Sequence, residues 1–216
     1  MYQYLKVIID FLASIVILVI LLPFLFVIGV SVLLAMGSPI IFKQERIGKN
    51  NKPFIMYKFR TMREPKKGQS RLLSDADRIT KVGEFLRRSS LDELPEIINV
   101  IKGDMSLVGP RPLLELHLEL FDELQKTRHN VKPGMTGLAQ VMGRQSLSFK
   151  QRTNLDVEYV NKVSLWLDIK IILKTVLVVL GASGIKTGQK IEEVDDLGIL
   201  DLIEKRHKQK NDDSNI

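Results

Sequence analysis

The chain has 216 residues, of which 45% are hydrophobic and none is cysteine, which excludes a disulfide framework and a thiolate metal site. Its three histidines show no metal-ligand spacing, and the sequence contains neither a P-loop nor a G-x-S-x-G motif. The formal net charge is +7, and between residues 37 and 90 fourteen Lys or Arg stand against five Asp or Glu. A basic segment of this kind suits anionic lipid, nucleic acid or a phosphorylated substrate.

The N-terminal part of the chain carries the membrane signal. No charged residue occurs between Phe11 and Met36, and a straight helix of that length reaches about 39 Å, more than the roughly 30 Å hydrocarbon core of a bilayer. We therefore predict a membrane-inserted segment over residues 1–38. Pro23 interrupts helix hydrogen bonding near its middle, so the composition leaves a spanning helix and a re-entrant helix as open alternatives. The basic segment that follows predicts that this side faces the cytosol.

Two short strands are predicted next, over Ile40 to Gln44 and Phe54 to Arg60, with Gly48 to Asn51 as the turn between them. The period of two along the second strand puts Lys58 and Arg60 on one face, where they could meet phosphate or simply face water.

The remaining segments predict mostly helix. A polar loop is expected from Glu64 to Asp77, and the Lys132 to Gly137 loop is expected to need special backbone angles. The apolar but charge-interrupted segment Leu165 to Leu180 predicts either an interfacial helix or a buried one. Hydrophobic periodicity predicts helices over Val82 to Arg88, Leu94 to Ile101, Leu113 to Thr127 and Gln151 to Val163.

The chemistry is concentrated at Asp92 and Glu93, which follow Arg87 and precede the Gly109-Pro110-Arg111-Pro112 turn. Ser-x-x-Asp and Ser-x-x-Glu are also helix-capping signals, so taken alone these acids would be capping residues. The neighbouring arginines favour a phosphate site instead, where a carboxylate attacks phosphorus or holds a divalent metal and guanidinium groups neutralise the oxyanions. The flanking prolines restrict Arg111, which lowers the entropy lost on binding.

Three segments resemble one known family. They are KFRTM at residues 58–62, SLDELPEIINVIKGDMSLVGPRP at residues 90–112 and KPGMTGLAQVMGR at residues 132–144. Together with the membrane segment they are similar to the bacterial sugar transferases, the monotopic phosphoglycosyl transferases that start glycan assembly on a polyprenol carrier. The resemblance runs from about Lys6 to Ser183. The chain resembles the small form of these enzymes, which lacks the multi-span N-terminal half of longer relatives.

The resemblance implies a reaction. Asp92 would attack the β-phosphate of a UDP-sugar and expel UMP, and undecaprenyl phosphate would then attack the sugar-phosphoryl-aspartate, with ping-pong kinetics. Asp92 would also bind Mg²⁺, with Glu93 as proton acceptor or orienting group. An N-acetylated or amino-deoxy hexose is the expected sugar, with hexose-1-phosphate transfer as the alternative. The substrate-binding residues expected are Lys58, Arg60, Arg87, Pro110, Arg111, Gln140 and Arg144.

The implied fold is α+β, mostly helical with a small β-hairpin, an N-terminal re-entrant membrane helix and interfacial amphipathic helices. We expect a catalytic domain over residues 39–187 on the cytosolic face of the bacterial inner membrane, in contact with membrane lipid and without a nucleic-acid partner. Residues 188–216 are expected to form a peripheral tail. Relatives often have Ser-Pro at the helix break, where this chain has Leu22-Pro23, so a spanning helix stays open.

Two other functions also fit part of the sequence. A membrane-anchored adaptor would use the basic segment to bind anionic lipid or nucleic acid, although it would leave Asp92 and Glu93 without a role. A membrane phosphohydrolase would form the same intermediate and release it to water. Met142 stands where many relatives have Asn, and both a change of sugar specificity and neutral drift are consistent with it.

Overall fold

The computed structural model describes residues 2–64, 78–143, 146–181 and Leu202. The polar loop predicted up to Asp77 lies outside these residues except for Glu64, and so does the predicted tail from Gly188 onward except for Leu202. The described part of the chain is mostly helical with two small sheets, which confirms the predicted α+β class.

Seven α-helices and four strands can be numbered in chain order within the described residues. The helices are α1 Tyr2–Met36, α2 Lys81–Ser89, α3 Ile97–Lys102, α4 Glu123–Lys126, α5 Leu138–Met142, α6 Phe149–Lys162 and α7 Leu165–Leu180. The strands are β1 Ile41–Ile47, β2 Pro53–Phe59, β3 Ser106–Val108 and β4 Gly134–Thr136. Short 3-10 helices occupy Lys49–Asn51, Leu91–Glu96, Glu115–Leu120 and Thr127–Asn130.

The predicted hairpin is confirmed. Strands β1 and β2 pair antiparallel, with Phe42 opposite Lys58 and Arg46 opposite Phe54. Asn50 and Asn51, in the turn between the strands, adopt positive φ values of 55° and 59°. Asparagine tolerates this conformation better than most residues do, which allows the tight turn. The second sheet pairs β3 and β4 in parallel and lies against α6 and α7, where Val108, Tyr159 and Ile171 form a buried cluster.

The prediction of one helix from Leu113 to Thr127 is wrong. The structure has a 3-10 helix over Glu115–Leu120, extended backbone at Phe121 and a separate α4. Asp122 starts α4 with a capping box, in which its carboxylate accepts from the Gln125 N–H at 2.7 Å and the Gln125 side chain accepts from the Asp122 N–H. These local hydrogen bonds favour a new helix start over continuation of the apolar period.

The prediction that the Lys132 to Gly137 loop needs special backbone angles is also wrong. Gly137 has φ −170°, which is extended backbone that any residue adopts. What the glycines provide is room, because a Cβ on Gly134 would lie 2.0 Å from the Gly109 nitrogen and a Cβ on Gly137 would lie 2.2 Å from the Gly109 oxygen. Two backbone segments therefore pass at a distance that only glycine permits.

Helix α1 is the one described helix that is long and apolar enough to cross a membrane by length and composition, with a mean hydropathy of 3.2 in its most apolar window. It continues through Pro23 as a single helix. Asp10 near its start bonds to Ser106 of β3, and Val32 near its end packs against Phe59 of β2 and Leu86 of α2. Both ends of α1 therefore contact the same folded body.

Helix α7 confirms the helix predicted over Leu165 to Leu180, but its acidic residue does not face water. Asp168 is 4% exposed and buried, whereas Trp166, Leu173 and Leu177 are each more than 60% exposed. The apolar face of α7 is thus its outer face, as on a helix that contacts lipid, and its buried charge points into the protein.

We expect Gly137→Ala to destabilise the fold, because its Cβ would overlap the Gly109 carbonyl and approach the Gln140 Oε1 atom to 2.7 Å. Overpacking of this kind costs about 1–3 kcal/mol. The measurement is the thermal unfolding midpoint of the purified protein in detergent. Gly29→Ala on α1 is the matched control, since its Cβ would meet only the side chains of Ile40 at 3.8 Å and Phe59 at 3.9 Å. Equal midpoints for the two variants would contradict the close approach.

Candidate active site

The 3-10 helix Leu91–Glu96 presents the two candidate catalytic acids to a cavity of about 1130 Å³. Ser90, which joins this helix to α2, has a positive φ of 57° and donates its N–H to the carbonyls of Arg87 and Leu86. Its side chain makes no capping hydrogen bond. Asp92 and Glu93 therefore do not form a capping box with Ser90, and both acids are available for other contacts.

Glu93 holds two cations. Its carboxylate accepts from Lys58 Nζ at 2.6 Å and from both terminal nitrogens of Arg111, with the Nη1 to Oε2 distance 3.2 Å. Burial by itself raises the pKa of Glu93, but the charges and hydrogen bonds of Arg111 and Lys58 outweigh it and hold this pKa well below its usual range. Glu93 is therefore an anion at neutral pH, and it aligns both cations beside Asp92.

Asp92 is the unpaired carboxylate of the site. It lines the cavity and makes no hydrogen bond or ion pair with any other residue that the structure describes. Burial first, and then the negative charge of Glu93, raise the pKa of Asp92 to about 6. The positive charges of Lys58, Arg111 and Arg87 act in the opposite direction. Asp92 is therefore mostly ionised at neutral pH, with its oxygen lone pairs unused.

A third acid, Glu96, was missed by the sequence analysis. It is 2% exposed, and its carboxylate lies 3.2 Å from Lys58 Nζ, on the same ammonium group that binds Glu93. Burial, followed by the charge of Glu93, raises the pKa of Glu96 to about 7. Its position three residues after Glu93 in a helical segment was the available signal, because residues three apart share a helix face.

The Gly109-Pro110-Arg111-Pro112 turn is held by the main chain around it. The Pro110 carbonyl accepts from the Gly134 N–H at 2.9 Å, and the Arg111 carbonyl accepts from Arg128 Nη2 at 2.7 Å. Arg128 is 2% exposed and pairs with Asp156 at 2.7 Å. Pro110 is buried and acts by fixing the turn, and Arg111 extends from it to Glu93.

Of three other residues that were predicted to bind substrate, two line the cavity and one is not described. Arg87 lines the cavity and donates from Nε to Thr61 Oγ1 at 2.9 Å. Gln140 also lines the cavity, and its buried amide nitrogen and oxygen have no hydrogen-bond partner among the described residues. Arg144 lies outside the described residues.

Arg60 makes contacts that the sequence did not predict. Its guanidinium donates to the carbonyls of Met36, Gly37 at 2.7 Å and Ser38 at 3.1 Å. These are carbonyls at or just after the C-terminus of α1, where unpaired acceptors and the negative end of the helix dipole favour a cation. Arg60 is thus a cap on α1. It also lines the cavity, so its contact with substrate stays a prediction.

Arg46 is a further cation that the sequence analysis missed. It lines the cavity, donates from Nη2 to Gln44 Oε1 at 2.6 Å, and has a buried Nε atom without a partner among the described residues. Burial, and then the charge of Arg111, lower the pKa of Arg46 to about 10, so it remains a cation. The signal was the period of two in β1, since Phe42, Gln44 and Arg46 share the face on which Phe42 pairs with Lys58.

The cavity is lined by charged and by apolar side chains, and we call the part around Asp92 its charged end and the part between α1 and α7 its apolar end. The charged end contains Asp92 and the cations around Glu93. The apolar end is bounded by α1, which is predicted to insert into a membrane, and by α7, which is predicted to be either interfacial or buried. The lining residues there are Ile17 and Leu21 on α1, and Ile172, Val176 and Val179 on α7. The cavity is therefore bordered by cationic side chains and by apolar ones.

The donor set is compatible with a cation that the substrate helps to bind. Among the described residues, no group of three or more acidic or histidine side chains is arranged to hold a metal ion. Glu93 already binds two side-chain cations, which leaves Asp92 as a ligand. Mg²⁺ is typically held by one or two carboxylates together with substrate phosphates and water, so one free carboxylate in this position fits it.

Comparison with known proteins identifies the family. The sequence profile described as "Bacterial sugar transferase" matches residues 1–182. The chain belongs to the bacterial sugar transferase family. It is 51% identical over 162 residues to the uncharacterized sugar transferase EpsL of Bacillus subtilis (strain 168), covering 75% of this chain and 80% of that protein. The prediction of a transferase is thereby confirmed at the level of the family.

Two longer relatives carry more specific names. The transferase is 42% identical over 177 residues to the UDP-glucose:undecaprenyl-phosphate glucose-1-phosphate transferase of Escherichia coli (strain K12), covering 77% of this chain and 38% of that one. It is 40% identical over 200 residues to the undecaprenyl-phosphate galactose phosphotransferase of Salmonella typhimurium, covering 84% of this chain and 42% of that one. The chain therefore spans about two fifths of the length of these two relatives.

We expect the pKa of Asp92 in the metal-free transferase to lie near 6 and to fall in Glu93→Gln, because the charge of Glu93 is one of the causes that raise it. The carboxyl ¹³C shift of selectively labelled aspartate, assigned through Asp92→Asn, measures both values. Glu84→Gln on the exposed side of α2 serves as the control and should leave the midpoint unchanged. A higher pKa in Glu93→Gln would show that the site is organised differently.

Proposed function

We propose that this protein transfers a sugar 1-phosphate from a UDP-sugar to undecaprenyl phosphate and releases UMP. The observation that carries the proposal is the unpaired Asp92 carboxylate in a cavity lined by cations at one end and by the membrane helix at the other. The names of the Escherichia coli and Salmonella typhimurium relatives support this pair of substrates, and they favour glucose or galactose as the sugar.

The first step joins Asp92 to the substrate. A carboxylate oxygen of Asp92 attacks the sugar-bearing phosphorus, the bond from that phosphorus to the bridging oxygen breaks, and UMP leaves with the bonding electrons. The product is a sugar-phosphoryl-aspartate. The pKa of about 6 leaves Asp92 ionised at neutral pH, yet its oxygens are not occupied by the neighbouring cations. These are the requirements for a carboxylate nucleophile.

The surrounding cations neutralise charge at the reacting phosphate. Arg111 and Arg87 both line the cavity beside Asp92. Arg46 adds a guanidinium that forms no ion pair with a described residue. Fixed guanidinium groups stabilise the oxyanions of a phosphoryl-transfer transition state without reorganising. A divalent cation bound to Asp92 and the diphosphate, which we infer to be Mg²⁺, would supply further charge neutralisation.

In the second step an oxygen of the lipid phosphate attacks the same phosphorus. The bond from phosphorus to the Asp92 oxygen then breaks, which regenerates the carboxylate and yields undecaprenyl diphosphate-sugar. The hydrocarbon of the acceptor requires an apolar route to the site, and the cavity end between α1 and α7 provides one. Because the two substrates arrive in turn, this reaction follows ping-pong kinetics.

The arrangement of α1 supports a re-entrant membrane helix with the catalytic body on the cytosolic side. Both ends of α1 contact this body, through Asp10 with Ser106 and through Val32 with Phe59. A helix that crossed the bilayer and left the body on one side would contact it near one end only. The basic segment after α1 favours the cytosol as that side.

We expect Asp92→Asn to lower UMP release from UDP-glucose or UDP-galactose by about a thousandfold or more, since an amide is a poor nucleophile and carries no charge. Intact-protein mass spectrometry of the wild type, treated with UDP-sugar alone, should find a sugar-phosphate adduct that Asp92→Asn lacks. Asp104→Asn, outside the cavity, is the control. An adaptor would release no UMP, and a phosphohydrolase would give the same yield of free sugar phosphate with or without polyprenyl phosphate.

We expect Arg46→Met to slow adduct formation at low UDP-sugar concentration by about 10- to 100-fold, because one charge-assisted hydrogen bond to phosphate is lost. Stopped-flow or quench measurement of UMP release in a single turnover tests this. Arg88→Met is the matched control, since Arg88 is exposed on α2 and does not line the cavity. If both variants react like the wild type, Arg46 does not bind the diphosphate.

A further inference from the structure

A buried cluster of charged and hydroxyl groups joins the first turns of α1 to the first turn of α7. Asp168 Oδ2 accepts from Lys6 Nζ at 2.6 Å and from Tyr2 Oη at 2.5 Å. The side chains of Lys6 and Asp168 are 12% and 5% exposed. Among the described residues these are the polar contacts that connect the two helices, and 162 or more positions of sequence separate the partners.

The cluster continues into the catalytic body. The other oxygen of Asp168 accepts from Tyr159 Oη at 2.7 Å, and the same hydroxyl group lies 3.0 Å from the Val108 carbonyl at the end of β3. Lys6 also lies 3.5 Å from Asp10, whose carboxylate accepts from Ser106 Oγ at 2.6 Å. Asp168 is thus bound from α1 and from α6, and its position is determined from both sides.

The helix faces that carry this cluster also line the apolar end of the cavity. Eleven residues along an α-helix return to within about 20° of the same direction. Ile17 therefore lies on the Lys6 face of α1, and Val179 lies on the Asp168 face of α7. Both Ile17 and Val179 line the cavity. The contact between Lys6 and Asp168 therefore joins the two helices whose faces border this end of the cavity.

Stability is a poor explanation for such a contact. Removing two charges from water costs several kcal/mol for each ion, and well-packed apolar side chains in the same place often stabilise a protein as much or more. A buried ion pair does specify geometry, because only one arrangement of the two helices satisfies both charges and the attached hydroxyl groups.

We propose that Lys6 and Asp168 are positioning residues for the lipid acceptor, which hold α1 and α7 at the separation that admits a polyprenyl chain. They act only in the second step, because the UDP-sugar enters at the charged end of the cavity. This inference rests on the proposed function. It identifies, in addition, the part of the chain that selects and aligns the hydrocarbon of the acceptor.

The experiment separates the two steps in the full-length protein in lipid nanodiscs. For Lys6→Met, single-turnover UMP release from UDP-sugar should remain within about twofold of wild type, while the KM for undecaprenyl phosphate rises by about 10- to 100-fold, as a misplaced binding wall predicts. Lys6→Arg, which keeps the charge, should recover most of the loss. Lys162→Met breaks the exposed pair with Glu158, 2.8 Å apart on α6, and should change neither step.

A comparison of acceptors of different chain length distinguishes this role from a general loss of structure, which would lower activity toward all acceptors alike. The ratio of kcat/KM for undecaprenyl phosphate to that for a short prenyl phosphate should fall in Lys6→Met, since a short chain makes less use of the walls. Tyr2→Phe removes one hydrogen bond and no charge, so it tests the same ratio if Lys6→Met fails to fold.

The outcomes are distinct. Equal slowing of UMP release and lipid transfer, or an unchanged ratio between acceptors, would overturn the inference and leave the cluster a purely structural contact. A wild-type protein that releases no UMP and forms no adduct would refute the proposed function itself, before the role of Lys6 is tested.

Discussion

The candidate site depends on one interaction, the double ion pair that Glu93 makes with Lys58 and Arg111. The three residues come from β2, from the 3-10 helix after α2 and from the Gly-Pro-Arg-Pro turn. Two cations this close would repel without the carboxylate between them, so the anionic state of Glu93 holds the three segments together. Because Glu93 takes both cations, its neighbour Asp92 remains without a partner and is available for chemistry.

The second organising constraint is the position of the cavity beside α1, the helix that is predicted to insert into a membrane. Helix α1 contacts the catalytic body at both ends, and its middle, with Ile17 and Leu21, borders the cavity. Under the proposed function, a soluble nucleotide and a membrane lipid would reach one carboxylate from different sides. The proposed covalent intermediate fits this layout, since the sugar phosphate would stay on the protein while one substrate leaves and the other arrives.

Local sequence patterns predicted the secondary structure well where neighbours in the chain decide it. The hairpin, α2, α6 and α7 follow from strand alternation, capping residues and apolar periodicity. The pattern failed between Leu113 and Thr127, where the Asp122 capping box starts a new helix. It also gave the wrong reason for Gly137, which is needed for close approach to Gly109, a residue 28 positions earlier in the chain.

The sequence by itself determined the long apolar helix, the adjacent acids Asp92 and Glu93, the family and most of the cations near these acids, because these are properties of composition and spacing. Only the tertiary structure decided which acid binds the cations and which stays free, that Arg60 caps α1, and that Arg46 and Glu96 join the site. Those outcomes depend on distances between groups far apart in the chain and on how completely each is removed from water, and no local pattern encodes either quantity.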